Sequence, residues 1–226
     1  MKIIEIFDSI DGEGLRSGQP CSFIRLAGCN LHCSYCDTLY SLFDSGVPCE
    51  YTEMNVDEII SKLNLRYKRV TLTGGEPLIH PNADILTNRL LSDGYEVNIE
   101  TNGAVDICEF SKKLQNTDKL FYTIDYKLPS CGMTEKMLWN NFLSLRPCDV
   151  IKFVVGTDED ASLMVDIVKK LDSFYDVMPH IYVGTVYGEY SAEKLVDIIL
   201  NTPVMKDAKF QVQLHKIVWD PEKRGV

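Results

Sequence analysis

Short, mostly apolar runs alternate along this chain with longer segments whose apolar positions recur at helical spacing. Residues 1–8 read as an amphipathic strand that carries acids, and 22–26 as a strand running into a cysteine-rich loop. Segment 56–63 is a helix with Asn55 placed as its N-cap. Segment 69–73 is a strand ending in Gly74-Gly75-Glu76-Pro77. Helical spacing returns over 82–91, at Ile85, Leu86, Leu90 and Leu91. Glu96–Thr101 is a strand ending in Asn102-Gly103, and a short helix is predicted over 105–114. A strand over 120–125, a helix over 135–143 and a very apolar strand over Val150–Val155 follow. Segment 158–171 is a helix with acids in its first turn and Lys169-Lys170 in its last, as the helix dipole favours. Segments 181–186, 192–200 and 209–214 close the series as strand, helix and strand.

Repeated strand–helix units predict an α/β fold with a parallel sheet and helices outside it. About six parallel strands are too few for a closed eight-stranded barrel, so the expected architecture is a partial, open β/α barrel with its site at the C-terminal strand ends. The polar motifs do fall at those ends: the cysteine loop, Gly74-Gly75-Glu76-Pro77, Glu100-Thr-Asn-Gly103 and Asp125-Tyr-Lys127. No linker, repeat or low-complexity stretch interrupts the chain, and residues 1–226 are read as one domain.

Composition narrows the function. The 226 residues are 45 % hydrophobic and 25 % charged, an ordinary globular mix. No apolar run approaches the ~20 residues of a membrane span. The first residues do not form a signal peptide, so a cytoplasmic protein is expected. Eight cysteines are present, three clustered and five (Cys21, Cys49, Cys108, Cys131 and Cys148) scattered. A chain this rich in core residues needs no disulfide staples, and reduced thiols are expected. The net charge of −10 and the absence of a Lys/Arg stripe argue against nucleic acid as a partner. A small molecule is expected, held by one or two placed arginines if it is anionic.

The chemistry concentrates in Gly28-Cys-Asn-Leu-His-Cys-Ser-Tyr-Cys-Asp-Thr38, where Cys29, Cys33 and Cys36 have the spacing C-x3-C-x2-C. Three thiolates on one loop would leave the fourth iron of a [4Fe-4S] cubane open to another ligand. A structural zinc would instead close its shell with a fourth ligand, here Cys21, Cys49 or His32. The zinc alternative predicts a colourless protein, and the cluster a brown one. The scattered cysteines show no C-x2-C pairing, so no second cluster is expected.

The cysteine loop, with Gly74-Gly75-Glu76-Pro77 placed 38 residues beyond Cys36, resembles the radical S-adenosylmethionine (SAM) enzymes. Phe7-Asp-Ser-Ile-Asp-Gly-Glu-Gly14, Phe23-Ile-Arg-Leu-Ala-Gly-Cys29, Cys36-Asp-Thr38, Glu100-Thr-Asn-Gly103, 125–130, Gln213-Leu-His215 and Arg224-Gly-Val226 narrow the resemblance to the 7-carboxy-7-deazaguanine synthases. That family usually has Gln where this chain has Asp11. The resemblance implies conversion of 6-carboxy-5,6,7,8-tetrahydropterin to 7-carboxy-7-deazaguanine. A 5′-deoxyadenosyl radical takes the C6 hydrogen, the ring contracts and ammonia leaves. It implies a [4Fe-4S] cluster on Cys29, Cys33 and Cys36, SAM used as a regenerated cofactor, and Mg²⁺ on the Thr38 hydroxyl, with Asp37 as a supporting acid. It places Tyr35, Gly74, Gly75, Glu76, Lys127 and Ser130 against SAM. Arg25 would grip the substrate carboxylate, Glu13 and Glu100 would accept from the pterin N–H edge, and the Val226 carboxylate would fold over the pterin. His215 is open between a site role and a core role, and His80 and His180 receive none. A homodimer and a flavodoxin or ferredoxin as electron donor are implied; because the chain and such donors are both acidic, a local basic patch at Lys62, Arg66, Lys68 and Arg69 is expected to dock the donor. Ser9-Ile-Asp-Gly-Glu-Gly-Leu-Arg16 also resembles the Asp-Gly-Pro-Gly-x-Arg of glycyl-radical-enzyme activases, which is the competing function.

Overall fold

Residues Met1–Val226 are described by a computed structural model. Strand β1 (Lys2–Ile10) turns back through a loop into β2 (Pro20–Leu26). A short β3 (Thr52–Glu53) and helix α1 (Val56–Ser61) follow. Then come β4 (Arg69–Gly74), α2 (Ala83–Ser92), β5 (Glu96–Thr101), α3 (Ile107–Ser111) and β6 (Leu120–Tyr126). The chain continues with α4 (Trp139–Phe142), β7 (Val150–Val155), α5 (Asp158–Asp172), β8 (His180–Thr185), α6 (Ala192–Asn201), β9 (Lys209–Phe210) and α7 (His215–Val218). One sheet holds all nine strands in the order β3-β1-β2-β4-β5-β6-β7-β8-β9. From β2 to β9 every neighbouring pair is parallel, and β1 is antiparallel to both β2 and β3. The outermost strands β3 and β9 do not pair with each other, so the sheet stays open.

Each central strand sorts its residues by alternation. Val70 and Leu72, Val97 and Ile99, Tyr122 and Ile124, and Ile151 and Phe153 all join one continuous hydrophobic cluster with α2 and α5. The residues between them face the other way and are largely polar: Thr71 and Thr73, Asn98 and Glu100, Thr123 and Asp125, and Lys152. Strand register lines these up across the sheet. Arg25 stands beside Thr73, Glu100 beside Thr123, and Asp125 beside Lys152. One face of the sheet is therefore greasy and helix-covered, and the other is a polar floor.

Local capping fixes the helices. Asn55 and Glu58 form a capping box at α1, and Thr157 and Asp160 form one at α5. Fully buried Asp160 also accepts from the backbone N–H of Ser130, at 2.9 Å, and of Gly156, at 2.8 Å. No helix is long and apolar enough to cross a membrane.

The structure corrects several expected elements. The helix expected over 135–143 is a single 3-10 turn, Thr134–Lys136, followed by the four-residue α4. Leu138 N donates to Gly103 O, and the Asn141 amide bonds both Gly103 O and Val105 O, so this segment is tied to the turn after β5. The helix over 105–114 is shorter, beginning after the Asp106 cap. The strand over 209–214 pairs only through Lys209 and Phe210. Beyond it Leu214 N reaches Gly12 O, which carries the chain under the first loop. The antiparallel β1 and β3 extend the sheet beyond the roughly six parallel strands expected, and β9 adds a short parallel edge.

Candidate active site

At the C-terminal strand ends a cavity of 560 Å³ opens on the polar floor. Three segments build its rim. The first is the cysteine loop after β2, which brings Cys29, Cys33 and Cys36 to the cavity wall. Asn30 Nδ2 reaches Ala104 O, while Ser34 donates its N–H to Cys131 O at 3.1 Å and its hydroxyl to Ser130 O at 2.6 Å. The loop is thus anchored to the segments after β5 and β6. Cys131, one of the five scattered cysteines read as core or surface thiols, is buried, and its carbonyl accepts from Ser34 of this loop.

The second segment is the turn after β4. Gly75 N donates to Leu26 O and Glu76 N donates to Gly28 O. A Cβ on Gly75 would meet Gly28 O at 2.0 Å, and Gly74 has φ +138 with Leu26 O at 2.2 Å from its own Cβ position. The two glycines are required because the turn packs backbone to backbone on the cysteine loop. Gly75→Ala is expected to cost at least about 3 kcal/mol, through a clash that no rotamer relieves. Thermal melting beside the wild type checks this, and an unchanged melt would contradict it.

Glu76 was expected to touch SAM, but its carboxylate lies under the turn and does not line the cavity. It accepts from Leu78 N, Thr101 Oγ1 and Asn102 N at 2.7–3.0 Å. Burial pushes its carboxyl up to about 7 against the pull of these donors. Asn102, which this acid holds, points its amide at Cys29 Sγ at 3.5 Å. Ser130 is likewise off the cavity, because its hydroxyl donates to Asp160.

The third segment is the tail. Residues 221–226 line the cavity, with Arg224 stacked 3.8 Å from the Tyr40 ring centroid and Val226 on the wall.

The floor carries a chain of charges. Arg25 Nε donates to Glu5 Oε1 at 2.7 Å, across the β1–β2 register that sets the two residues side by side. No protein acceptor lies within hydrogen-bond reach of either terminal nitrogen of Arg25. Glu100 accepts from Thr73 at 2.7 Å, and its burial raises the carboxyl above the usual range. Glu13 accepts from Gln211 Nε2 at 3.0 Å and pairs with Lys152 at 3.2 Å. Asp125 pairs with Lys127 at 2.7 Å and Lys152 at 3.3 Å. These two lysines hold the Asp125 carboxyl below its usual range despite burial. Tyr35, Asp37, Thr38, Lys127 and His215 all line the same cavity. Burial lowers the His215 imidazole from its ordinary value.

One expectation, the basic docking patch, is corrected here, and Asp11 and the zinc alternative's extra ligands are found off the cavity. Asp11 does not face the cavity; it is a buried partner of Arg16, at 2.7 Å, and accepts from Thr71. Cys21, Cys49 and His32 do not line the cavity either, and no three His, Cys, Asp or Glu side chains gather closely enough to hold a single metal ion. The patch of Lys62, Arg66, Lys68 and Arg69 lies before β4, at the opposite strand end from the cysteines. Arg69 to Gly74 alone spans roughly 17 Å at ~3.3 Å per residue. Lys68 is occupied over the Tyr95 ring and Arg69 on Pro20 O, so this patch is no docking site beside the thiols. Lys152 and Glu5 had been passed over. A lone charge inside Val-Ile-Lys-Phe-Val-Val was the available signal for the first, and cross-strand pairing with Arg25 for the second.

The donor set fits the groups that the cysteine spacing suggests. Three thiols from one loop share one cavity without converging on a single point, which suits a cluster held at its corners. The Thr38 hydroxyl lies 3.7 Å from Cys36 Sγ, with Asp37 on the same wall, an oxygen pair suited to a hard cation completed by substrate and water.

Comparison with known proteins agrees with the geometry. The Radical SAM superfamily profile matches residues 23–125. A 7-carboxy-7-deazaguanine synthase of Clostridium acetobutylicum is 42 % identical over 100 % of this chain and 99 % of its own length. One from Methanospirillum hungatei is 38 % identical over 98 % of this chain and 86 % of its own. The crystal structure of QueE from Escherichia coli shares the fold at a TM-score of 0.70 and 21 % identity, covering 94 % of this chain and 93 % of that one. The chain belongs to the 7-carboxy-7-deazaguanine synthase family of the radical SAM superfamily.

Proposed function

We propose that this cavity carries out the reaction named by its family, the conversion of 6-carboxy-5,6,7,8-tetrahydropterin to 7-carboxy-7-deazaguanine with loss of ammonia, within a single domain spanning 1–226. The observation that carries the reading is one cavity lined both by Cys29, Cys33 and Cys36 and by Arg25, Glu13 and Glu100. Cys29, Cys33 and Cys36 would hold the cluster, which together with SAM would supply the radical chemistry needed for hydrogen abstraction. Everything else is the work of this chain's own side chains.

The Gly74-Gly75 backbone, Tyr35 and Lys127 form the SAM side of the cavity. Lys127 is held above its ordinary range by Asp125 and is a fixed cation for a carboxylate. Arg25 presents its two terminal nitrogens to the substrate carboxylate, with Glu5 taking Nε and so fixing the plane of the fork. Glu13 and Glu100 accept from the donor edge of the pterin. Thr38, with Asp37 beside it, offers oxygen to Mg²⁺. His215 and the tail through Val226 close the opposite wall and exclude water, which protects a reactive carbon from side reactions. The family resemblance extends the proposal to a homodimer and to a flavodoxin or ferredoxin as reductant.

The competing activase reading requires a site that admits a protein loop. Here the floor carries charge pairs and the unpaired fork of Arg25, and residues 221–226 line the cavity. The two readings differ in stoichiometry. With excess pterin, the proposal predicts ammonia released one-for-one with substrate and SAM recovered intact. Methionine and 5′-deoxyadenosine accumulating without ammonia would overturn it in favour of the activase.

A further inference from the structure

Lys152 interrupts an otherwise apolar strand, and its side chain is only 13 % exposed. A buried ammonium persists only where acids surround it. Those acids come from three elements. Glu13 lies on the loop after β1, at 3.2 Å; Asp125 lies on β6, at 3.3 Å; and Glu100 on β5 feels the same charge. The remaining cation nearby is Lys127, already held by Asp125 at 2.7 Å. Glu13 is left with Gln211 as its only other partner.

We propose that Lys152 is the positioning residue of the pterin pocket, bridging Glu13 to Asp125 so that the Glu13 carboxylate stays aimed beside Glu100 at one ligand edge. This deepens the proposed function and rests on its assignment of Glu13 to the pterin. Two acids facing one small ligand repel each other in a water-poor pocket. A cation on the same wall, within reach of Glu13 and Asp125, offsets that repulsion and fixes the rotamer of the nearer one. The bound ligand must then offer N–H donors along the edge that meets both carboxylates, as a 2-aminopyrimidinone ring does. Asp125 keeps Lys127 when Lys152 is removed, so the effect is confined to the Glu13 side and does not reach SAM.

The test is a double-mutant cycle on the full-length, cluster-reconstituted protein under anaerobic conditions. The dissociation constants of 6-carboxytetrahydropterin and of SAM are measured for wild type, Lys152→Met, Glu13→Gln and the double variant. Lys152→Met is expected to weaken the pterin about tenfold or more, and by no more than about twofold in the Glu13→Gln background, as coupled neighbours behave. SAM affinity is expected to stay within about twofold, and Lys152→Arg to recover part of the loss. If Lys152→Met does not fold, the neutral and similarly sized Lys152→Gln carries the same cycle. Equal losses in both backgrounds, an unchanged pterin affinity, or a parallel loss of SAM affinity overturns the proposal. A wild type that fails to bind the pterin overturns the functional reading with it, whereas tight wild-type binding with an additive cycle overturns this inference alone.

Discussion

Cys33→Ala protein is expected to leave anaerobic reconstitution colourless, without the broad absorption near ~400 nm of thiolate-bound iron. Turnover should fall by at least about 10⁶-fold, to the level of the uncatalysed reaction. The same result is expected for Cys29→Ala and Cys36→Ala. Three thiolates are the minimum that holds a cubane while leaving one iron for SAM, and the cavity offers no fourth: the remaining cysteines do not line it. Cys131 is the nearest substitute, yet it is buried behind the loop, where its carbonyl holds Ser34. The other inputs to the site do not depend on the thiols. The Arg25–Glu5 pair and the Lys152 bridge lie on strands, so the pterin floor should survive the loss. Iron content, the visible spectrum and product yield of each variant check the expectation. Full iron loading in Cys33→Ala would contradict it.

Arg25→Ala is expected to weaken the pterin by roughly 2–5 kcal/mol, the cost of truncating one partner of a buried charge pair. That is roughly 30- to 5,000-fold in the dissociation constant, at 1.36 kcal/mol per tenfold. The structure argues for the upper part of that range. Arg25 is 16 % exposed and its Nε is bound to Glu5, itself 20 % exposed. Removing the guanidinium takes away the grip on the substrate carboxylate and also leaves Glu5 without its cationic partner. Tyr40, which donates to Glu5 at 3.3 Å, cannot neutralise it. In a Glu5→Gln background the same substitution should therefore cost less. Cluster content and SAM affinity should not change, since Arg25 touches neither the cysteine loop nor the Gly74-Gly75 turn by hydrogen bond. Calorimetric titration of the pterin into both variants checks this, and an unchanged affinity in Arg25→Ala would contradict the role.

The parts of this site that were legible in the sequence are those whose chemistry depends on local spacing. Cys29, Cys33 and Cys36 lie within one loop, and Gly74-Gly75 ends one strand, so their placement on one cavity follows from neighbours along the chain. The strands were also legible, because a parallel sheet covered by helices needs apolar runs. What escaped was set by contacts distant in sequence. Arg25 was read only as a grip on the substrate carboxylate, but β1 folds back antiparallel and brings Glu5 to its side. Glu76 was read with the glycines as a ligand contact, yet its carboxylate turns away to hold Asn102. Ser130 was assigned to the cavity by its strand-end position, but Asp160, from α5, claims its hydroxyl. Lys152 was hidden because strand 150–155 was read only for its apolar character. The alternation in β5, β6 and β7 was present in the sequence as Asn98 and Glu100, Thr123 and Asp125, and Lys152, each between core residues. Read as a period-2 pattern, it describes the polar floor. The helix over 135–143 failed for a different reason: backbone bonds to Gly103 outcompete helix continuation there.

The central claim is that one cavity joins a three-cysteine cluster to a pterin-binding floor and contracts the pterin ring. The most direct measurement is mass spectrometry of a single anaerobic reaction containing the reconstituted protein, dithionite, SAM, Mg²⁺ and 6-carboxytetrahydropterin. The account predicts 7-carboxy-7-deazaguanine as the product, absent from the Cys33→Ala reaction. Consumption of SAM to 5′-deoxyadenosine and methionine with the pterin left intact would contradict it.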